Sequence, residues 1–219
     1  MRRILLALLA LALPTAAFAS SVNVSTFGPI SVNNPSFETH PALTTACGGI
    51  FTDCFFLNAN IPGWTRSAAG AGQMQPGPLG PFLSVPNGSI VAWSNGATIS
   101  QTVGATVQPG VTYILTVDLG RRTDLPFTGS AELLLGTDVC KATGATPSAG
   151  QFSLFKAECT GTSLEAGAPI TIQLLASGAQ TGFDNVRLTA VPEPSALSLL
   201  GTGLIGLAGL ARRKFKIGT

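Results

Sequence analysis

The sequence predicts an all-β fold, an antiparallel β-sandwich of jelly-roll type, and three observations predict it. Val111, Tyr113, Leu115, Val117 and Leu119 alternate with Thr112, Thr116 and Asp118, with Ile114 alone out of step. That period of two belongs to a strand with one buried face. The chain of 219 residues carries 26 glycines and 15 prolines, which punctuate short apolar runs rich in Val, Ile, Thr and Phe. Many turns between short strands is the signature of a sandwich. Between two apolar ends there is no long amphipathic helix and no repeat period.

Taken in order, the candidate strands are these. Residues 34–38 (NPSFE) supply an N-terminal edge. Residues 44–86 are rich in Gly and Pro and read as long loops at one end of the sandwich, a length that is usually functional or disordered. Residues 89–94 (SIVAWS) and 98–103 (TISQTV) flank Asn95-Gly96, a strong hairpin signal. The alternating strand at 111–119 follows. Further strands are expected at 131–135, 151–157, 170–176 and 183–190, giving about eight in one domain.

The two ends differ in kind from this middle. Arg2 and Arg3, an uncharged apolar run at 4–13, and Ala17-Phe18-Ala19 form a secretory signal peptide over residues 1–19. At the other end, residues 196–211 carry no charge and are followed at once by Arg212, Arg213 and Lys214. A helix of that length spans ~24 Å at ~1.5 Å per residue, close to a ~30 Å hydrocarbon core. Snorkelling cations and local thinning cover the difference, and the positive-inside rule leaves the main domain outside the cytoplasm. Within this run Gly201 to Gly206 read GTGLIG, the dinucleotide fingerprint. Pro192 and Pro194 oppose a preceding strand, and no acidic residue follows Glu193 to hold a ribose, so the nucleotide reading fails.

Val191-Pro192-Glu193-Pro194, the apolar run and the cluster Arg212-Arg213-Lys214 together resemble the PEP-CTERM sorting signal of Gram-negative bacteria. The resemblance covers about the last 29 residues, 191–219. It implies recognition by an exosortase-type membrane protease, cleavage near the motif, and delivery to the cell surface or an exopolysaccharide matrix.

Composition excludes some partners. Six of the twelve basic residues lie in the two targeting segments, leaving six against nine acidic residues over 20–190, about −3. No basic stripe is present to bind nucleic acid. Cys47, Cys54, Cys140 and Cys159 make an even set, which in an exported chain favours disulfides. Sequential pairing is expected, with Cys47 and Cys54 in one loop and Cys140 and Cys159 closing a hairpin. Neither pair has the C-x₂-C spacing of a zinc site.

NPSFE at 34–38, IPGW at 61–64 and FDNVRL at 183–188 resemble the galactose-binding-like family, to which many carbohydrate-binding modules belong. The resemblance implies a structural calcium tying the N-terminal strand to the last one, with Glu38 and Asp184 as its matching residues. Asp184 shares strand parity with Val186 and Leu188, so without a bulge it points inward, where a carboxylate needs hydrogen bonds, a cation or a proton. The plainer alternative has Asp184 capping a turn after Gly182 and Glu38 in solvent. Trp64, beside Arg66 in the loop-rich stretch, is the candidate platform for stacking on a sugar, or else a plug for the sandwich end. Trp93, in a strand, reads as core. Arg121 and Arg122 end the alternating strand and offer forks to a hydroxyl-rich or anionic ligand. Their plainer role is pairing with Asp118 or Asp124.

Catalysis has little footing: His40 is the only histidine and no G-x-S-x-G elbow is present. The expected protein is therefore exported and non-catalytic, contacting glycan or exopolysaccharide. A purely structural matrix protein is the alternative, and a polysaccharide-acting enzyme the outsider.

Overall fold

A computed structural model describes residues 27–192. The expected signal peptide at 1–19 and membrane helix at 196–211 lie outside the described residues, as do Glu193, Pro194 and the Arg212–Lys214 cluster. The described chain is all β: β1 (Gly28–Ile30), β2 (Thr45–Ala46), β3 (Phe55–Leu57), β4 (Thr65–Arg66), β5 (Ala71–Gln75), β6 (Val91–Ser94) and β7 (Thr98–Thr106) come first. They are followed by β8 (Val111–Arg121), β9 (Gly129–Leu135), β10 (Asp138–Lys141), β11 (Thr143–Gly144), β12 (Phe152–Thr160), β13 (Pro169–Ala176) and β14 (Thr181–Pro192).

Two antiparallel sheets form the sandwich. The larger runs β11-β12-β8-β14-β6-β5-β3-β2, with β1 also pairing β14, and the smaller runs β10-β9-β13-β7-β4. Alternation puts one face of each strand between the sheets: Leu115, Val117 and Leu119 from β8 meet Leu133 and Leu135 from β9 and Ile170, Ile172 and Leu174 from β13, all buried in one core. Truncating any of these leucines to Ala would cost ~2–5 kcal/mol through lost burial and the cavity left behind.

Three sequence expectations are corrected here. Residues 34–38 form no strand; they make a turn with positive φ at Asn34 and Phe37, and the edge place beside β14 goes to β1. The Asn95-Gly96 turn joins no hairpin. β6 lies in the larger sheet and β7 in the smaller, so the chain crosses from one sheet to the other there, with Asn95 N–H bonded to the Gly70 carbonyl. Residues 44–86 are not only loops. They add β5, β3 and β2 to the edge of the larger sheet and β4 to the smaller. In each case the local turn signal was real, but partner choice was set by strands far away in sequence.

Disulfides join Cys47 to Cys54 and Cys140 to Cys159. The second closes no hairpin: Cys140 is in β10 and Cys159 in β12, so it ties the smaller sheet to the larger.

The larger sheet also buries part of its outer face. Gly72, Trp93, Gly182, Gly120 and Phe152 stand opposite one another across β5, β6, β14, β8 and β12. A Cβ on Gly182 would lie 2.8 Å from the Phe82 ring, so the missing side chain is what seats Phe82. Phe82 tilts against Phe152 at 5.2 Å, and with Cys54, Met74, Val91 and Trp93 it forms a second small core under segments 47–56 and 76–90.

Candidate functional site

The segment over the outer face reads PGPLGPFLSVPNGS, residues 76–89, with four prolines and three glycines. Each proline fixes φ and removes a donor, so the segment is stiff and forms no strand, its ladder contact being an isolated bridge from Leu79 to Thr52. Gly80 N–H bonds the Gly77 carbonyl, Leu83 N–H bonds the Gly150 carbonyl, and Thr123 N–H bonds the Pro81 carbonyl. Between its two arms lies an open cleft of about 410 Å³, bounded by Gln75 and Pro76 on one side and by Leu83, Ser84, Val85 and Ser89 on the other. Phe82 is buried beneath it, while Leu83 stays 55% exposed. Ser84 donates to Gln151 Oε1 at 3.1 Å, which fixes the far rim. Polar groups beside aliphatic walls on a rigid frame suit a ligand with hydroxyls and apolar C–H faces. None of these lining residues was singled out from the sequence. The density of prolines in an otherwise strand-rich chain was the signal that marked the place.

Two carboxylates, Glu38 and Asp184, accept from the Asn87–Ile90 backbone, and a third, Asp118, pairs with Asp184 across the sheet. Glu38 Oε1 accepts the Ser89 and Ile90 N–H groups at 2.9 and 2.8 Å. Gly88 has φ of +81°, and a Cβ there would strike the Glu38 carboxylate, so glycine lets the two meet. Asp184 Oδ2 accepts the Asn87 N–H at 2.8 Å and Oδ1 the Asn185 N–H at 2.6 Å. Asp118 stands opposite Asp184 on β8 and accepts Asn185 Nδ2 at 2.9 Å.

The inward orientation expected of Asp184 is corrected by a β-bulge. Register shifts between Asp184 and Arg187, Asn185 takes φ of +54°, and Val186 N–H bonds the Pro35 carbonyl. The extra residue reverses parity, so Asp184 faces the outer side with Asp118 while Val186 and Leu188 face the core. Asp184 is nonetheless 0% exposed, because the 86–89 turn covers it. Burial, opposed by the two N–H bonds and reinforced by Asp118 and Glu38, pushes its pKa up to about 7.

The other expected site residues lie apart from this cleft or are engaged. Trp64 is 6% exposed, tilted on Phe37 at 5.4 Å and donating to the Asn34 carbonyl, so it offers no face to a sugar. It plugs the core because IPGW folds as a turn, with Trp64 N–H bonded to the Ile61 carbonyl. Trp93 is likewise buried, in the outer-face cluster. Arg66 is held by Asn58, Asn60 and the Ala71 carbonyl. Arg121 donates to the Leu125 carbonyl. Arg122 pairs with Asp124 at 2.8 Å, bonds Gln180, and lies 5.0 Å from the Phe51 ring centroid, so it clamps the Cys47–Cys54 loop rather than presenting a free fork. The Arg122 guanidinium holds the Asp124 carboxyl below its usual range. His40 is exposed in a loop and contacts the Pro41 carbonyl. Among the described residues the one cluster of three metal-ligand types, Asp138, Cys140 and Cys159, contains both sulfurs of a disulfide and so holds no metal.

Residues 190–214 match the PEP-CTERM protein-sorting motif, which marks the chain as exported and sorted to the cell surface. No curated protein matches the chain. The structure is similar to the CBM22-1 xylan-binding domain of Paenibacillus barcinonensis Xyn10C, at 9% identity and TM-score 0.48, over 76% of this chain and 97% of that one. Its CBM22-2 xylan-binding domain follows at 14% and 0.44, over 60% and 94%. The C-terminal family 22 carbohydrate-binding module of Clostridium thermocellum Xyn10B stands at 12% and 0.42, over 64% and 92%. The family model described as HpiC1 cyclase matches residues 28–189, nearly the whole of the described sandwich, and the chain belongs to that HpiC1-like family.

Proposed function

We propose that this is a non-catalytic surface or matrix protein, released or anchored through an exosortase-type protease acting on its tail, whose sandwich contacts exopolysaccharide in the proline-framed cleft. The observation that carries the reading is the cleft itself: open, preformed, and lined by Gln75, Ser84 and Ser89 beside Leu83 and Val85. The stiffness of 76–89 keeps the entropic cost of binding low. A broad glycan and exopolysaccharide panel, read by calorimetry on the domain 27–192, tests it. Saturable binding that falls at least ~10-fold in Leu83→Asp, with the circular dichroism spectrum unchanged, is the expected result. No binding to any member would leave the purely structural matrix protein in its place.

A calcium ion between Glu38 and Asp184 belongs to the same proposal. Supporting it, Glu38 and Asp184 both bond the 87–90 backbone with no side-chain cation bonded to them in the contacts described, and both Asp184 oxygens, beyond their N–H partners, and Glu38 Oε2, beyond the Ser89 hydroxyl, retain acceptor capacity. Calcium takes six to eight oxygens, so backbone carbonyls and water would complete the shell. The expected outcome is a rise in Tm with calcium at pH 8 that is reversed by chelator and absent in Asp184→Asn. An unchanged Tm withdraws the ion and leaves the N–H groups as the sole partners.

The family name gives an enzymatic second reading one specific foothold. Asp184, raised to about 7, sits under the cleft loop with a proton to give near neutral pH. It is sealed from the cleft by the Asn87 N–H bond, so acid chemistry there requires the 86–89 turn to lift.

A further inference from the structure

We propose that the end of the sandwich from which the chain leaves rests directly on the lipid bilayer that holds the tail, with Leu164 at the contact; this builds on reading 196–211 as a membrane segment. β14 stays paired to its last residue, Pro192 standing opposite Val111 and Val191 opposite Thr112. The sorting motif match begins at residue 190, so the motif starts inside the sheet. From Pro192 to the first residue of the uncharged run, Ala196, the chain takes four steps. Fully extended at ~3.3–3.6 Å each, they reach at most ~14 Å. The headgroup layer of a bilayer occupies ~5–8 Å of that on each side. Little length remains for the folded domain to stand away from the lipid.

That end presents what a neutral lipid surface takes. Two turns meet there: Gly110 N–H bonds the Gly161 carbonyl, Gly161 N–H bonds the Val111 carbonyl, and Gly167 N–H bonds the Val107 carbonyl. At the tip of the second turn Leu164 is 90% exposed, more than any other large apolar side chain among the described residues. The tip is not a loose coil, since Leu164 N–H bonds Thr162 Oγ1 and Ala168 N–H bonds the Glu165 carbonyl. Across 108–110 and 161–168 the sequence has one charged residue, Glu165, and the adjoining 136–138 turn, whose Gly136 N–H bonds the Pro169 carbonyl, adds Asp138; with two acids and no Lys or Arg in these turns, nothing draws this end to anionic lipid and the contact is apolar. β1 enters from the same end, because Gly28 stands opposite Ala190. The cleft lies near the start of β14, where Phe82 covers Gly182. Ten residues of strand separate Gly182 from Pro192, ~33 Å at ~3.3 Å per residue, which lifts the cleft clear of the lipid and toward a surface polymer.

The test uses the full chain in phosphatidylcholine vesicles, with one environment-sensitive fluorophore on Leu164→Cys or, as the distal comparison, on exposed Leu79→Cys, both native disulfides being verified by peptide mapping. Quenching by lipid-borne doxyl groups, strong at 164 and at least ~5-fold weaker at 79, is the expected result for a contact that decays over a few ångströms. Protein that floats with the vesicles but shows no quenching at 164 overturns the proposal while leaving the tail as an anchor, and points instead to a protein partner at this end. Protein that does not float overturns the membrane reading of 196–211 and the proposal with it. Quenching at 164 that requires anionic lipid overturns the apolar contact.

Discussion

Asp184 and Asn185 carry the most consequential chemistry in the described chain, one through charge and the other through backbone geometry. The native pKa of Asp184 is raised to about 7 against an ordinary 3.8, so the folded protein holds the proton longer than the unfolded chain. Its contribution to stability is therefore fully present below pH 4, declines as pH rises toward 7, and is level above that, a loss of at most ~4 kcal/mol. Urea unfolding at pH 4.5 and pH 8 should show that decline in the metal-free protein and a much flatter profile in Asp184→Asn. Saturating calcium, if it binds here, should flatten the wild-type profile as well, because a cation favours the ionised form. Asn185 is a different case. Its φ of +54° lies where Asn and Gly are tolerated and β-branched residues are not. Asn185→Val should cost ~2 kcal/mol by urea midpoint, whereas Asn185→Gly keeps the bulge and loses only the bond to Asp118, ~1 kcal/mol.

At the scale of elements, the cysteines show how spacing and placement separate. Cys47–Cys54 closes a short loop of sequence separation 7, pinned from outside by Arg122 over Phe51. Cys140–Cys159 closes a separation of 19 and bridges the two sheets between β10 and β12. In the chain-entropy description the two contribute about 2 and about 3 kcal/mol. The double variant Cys140→Ala/Cys159→Ala should lower Tm more than Cys47→Ala/Cys54→Ala, measured by calorimetry on otherwise identical proteins. The opposite order would mean that the first bridge supports the outer-face core and cleft more than chain entropy alone indicates. β8 is the counterexample to this separation. Its alternation gives strand and buried face together, since an apolar set of one parity needs a core on one side.

For the molecule as a whole, the all-β class, the five long strands from residue 111 onward and the sorting motif were legible because each is a local pattern: a period of two, a turn residue, an ordered set of short signals; the short β10 and β11 carried no such pattern. The cleft was not, nor was the outward turn of Asp184. Sequence parity put Asp184 inside, and one bulge residue reversed it; Trp64 looked like a ligand platform, and packing on Phe37 removed it. The sequence by itself determined where the chain is sent and that it folds as paired strands. Only the tertiary structure decided which sheet each strand joins, that 76–89 folds over the outer face as a rigid-walled cleft, and that Glu38 and Asp184, from distant segments, share one turn. Those are long-range events, in which pairing and burial between residues dozens of positions apart outweigh any local preference.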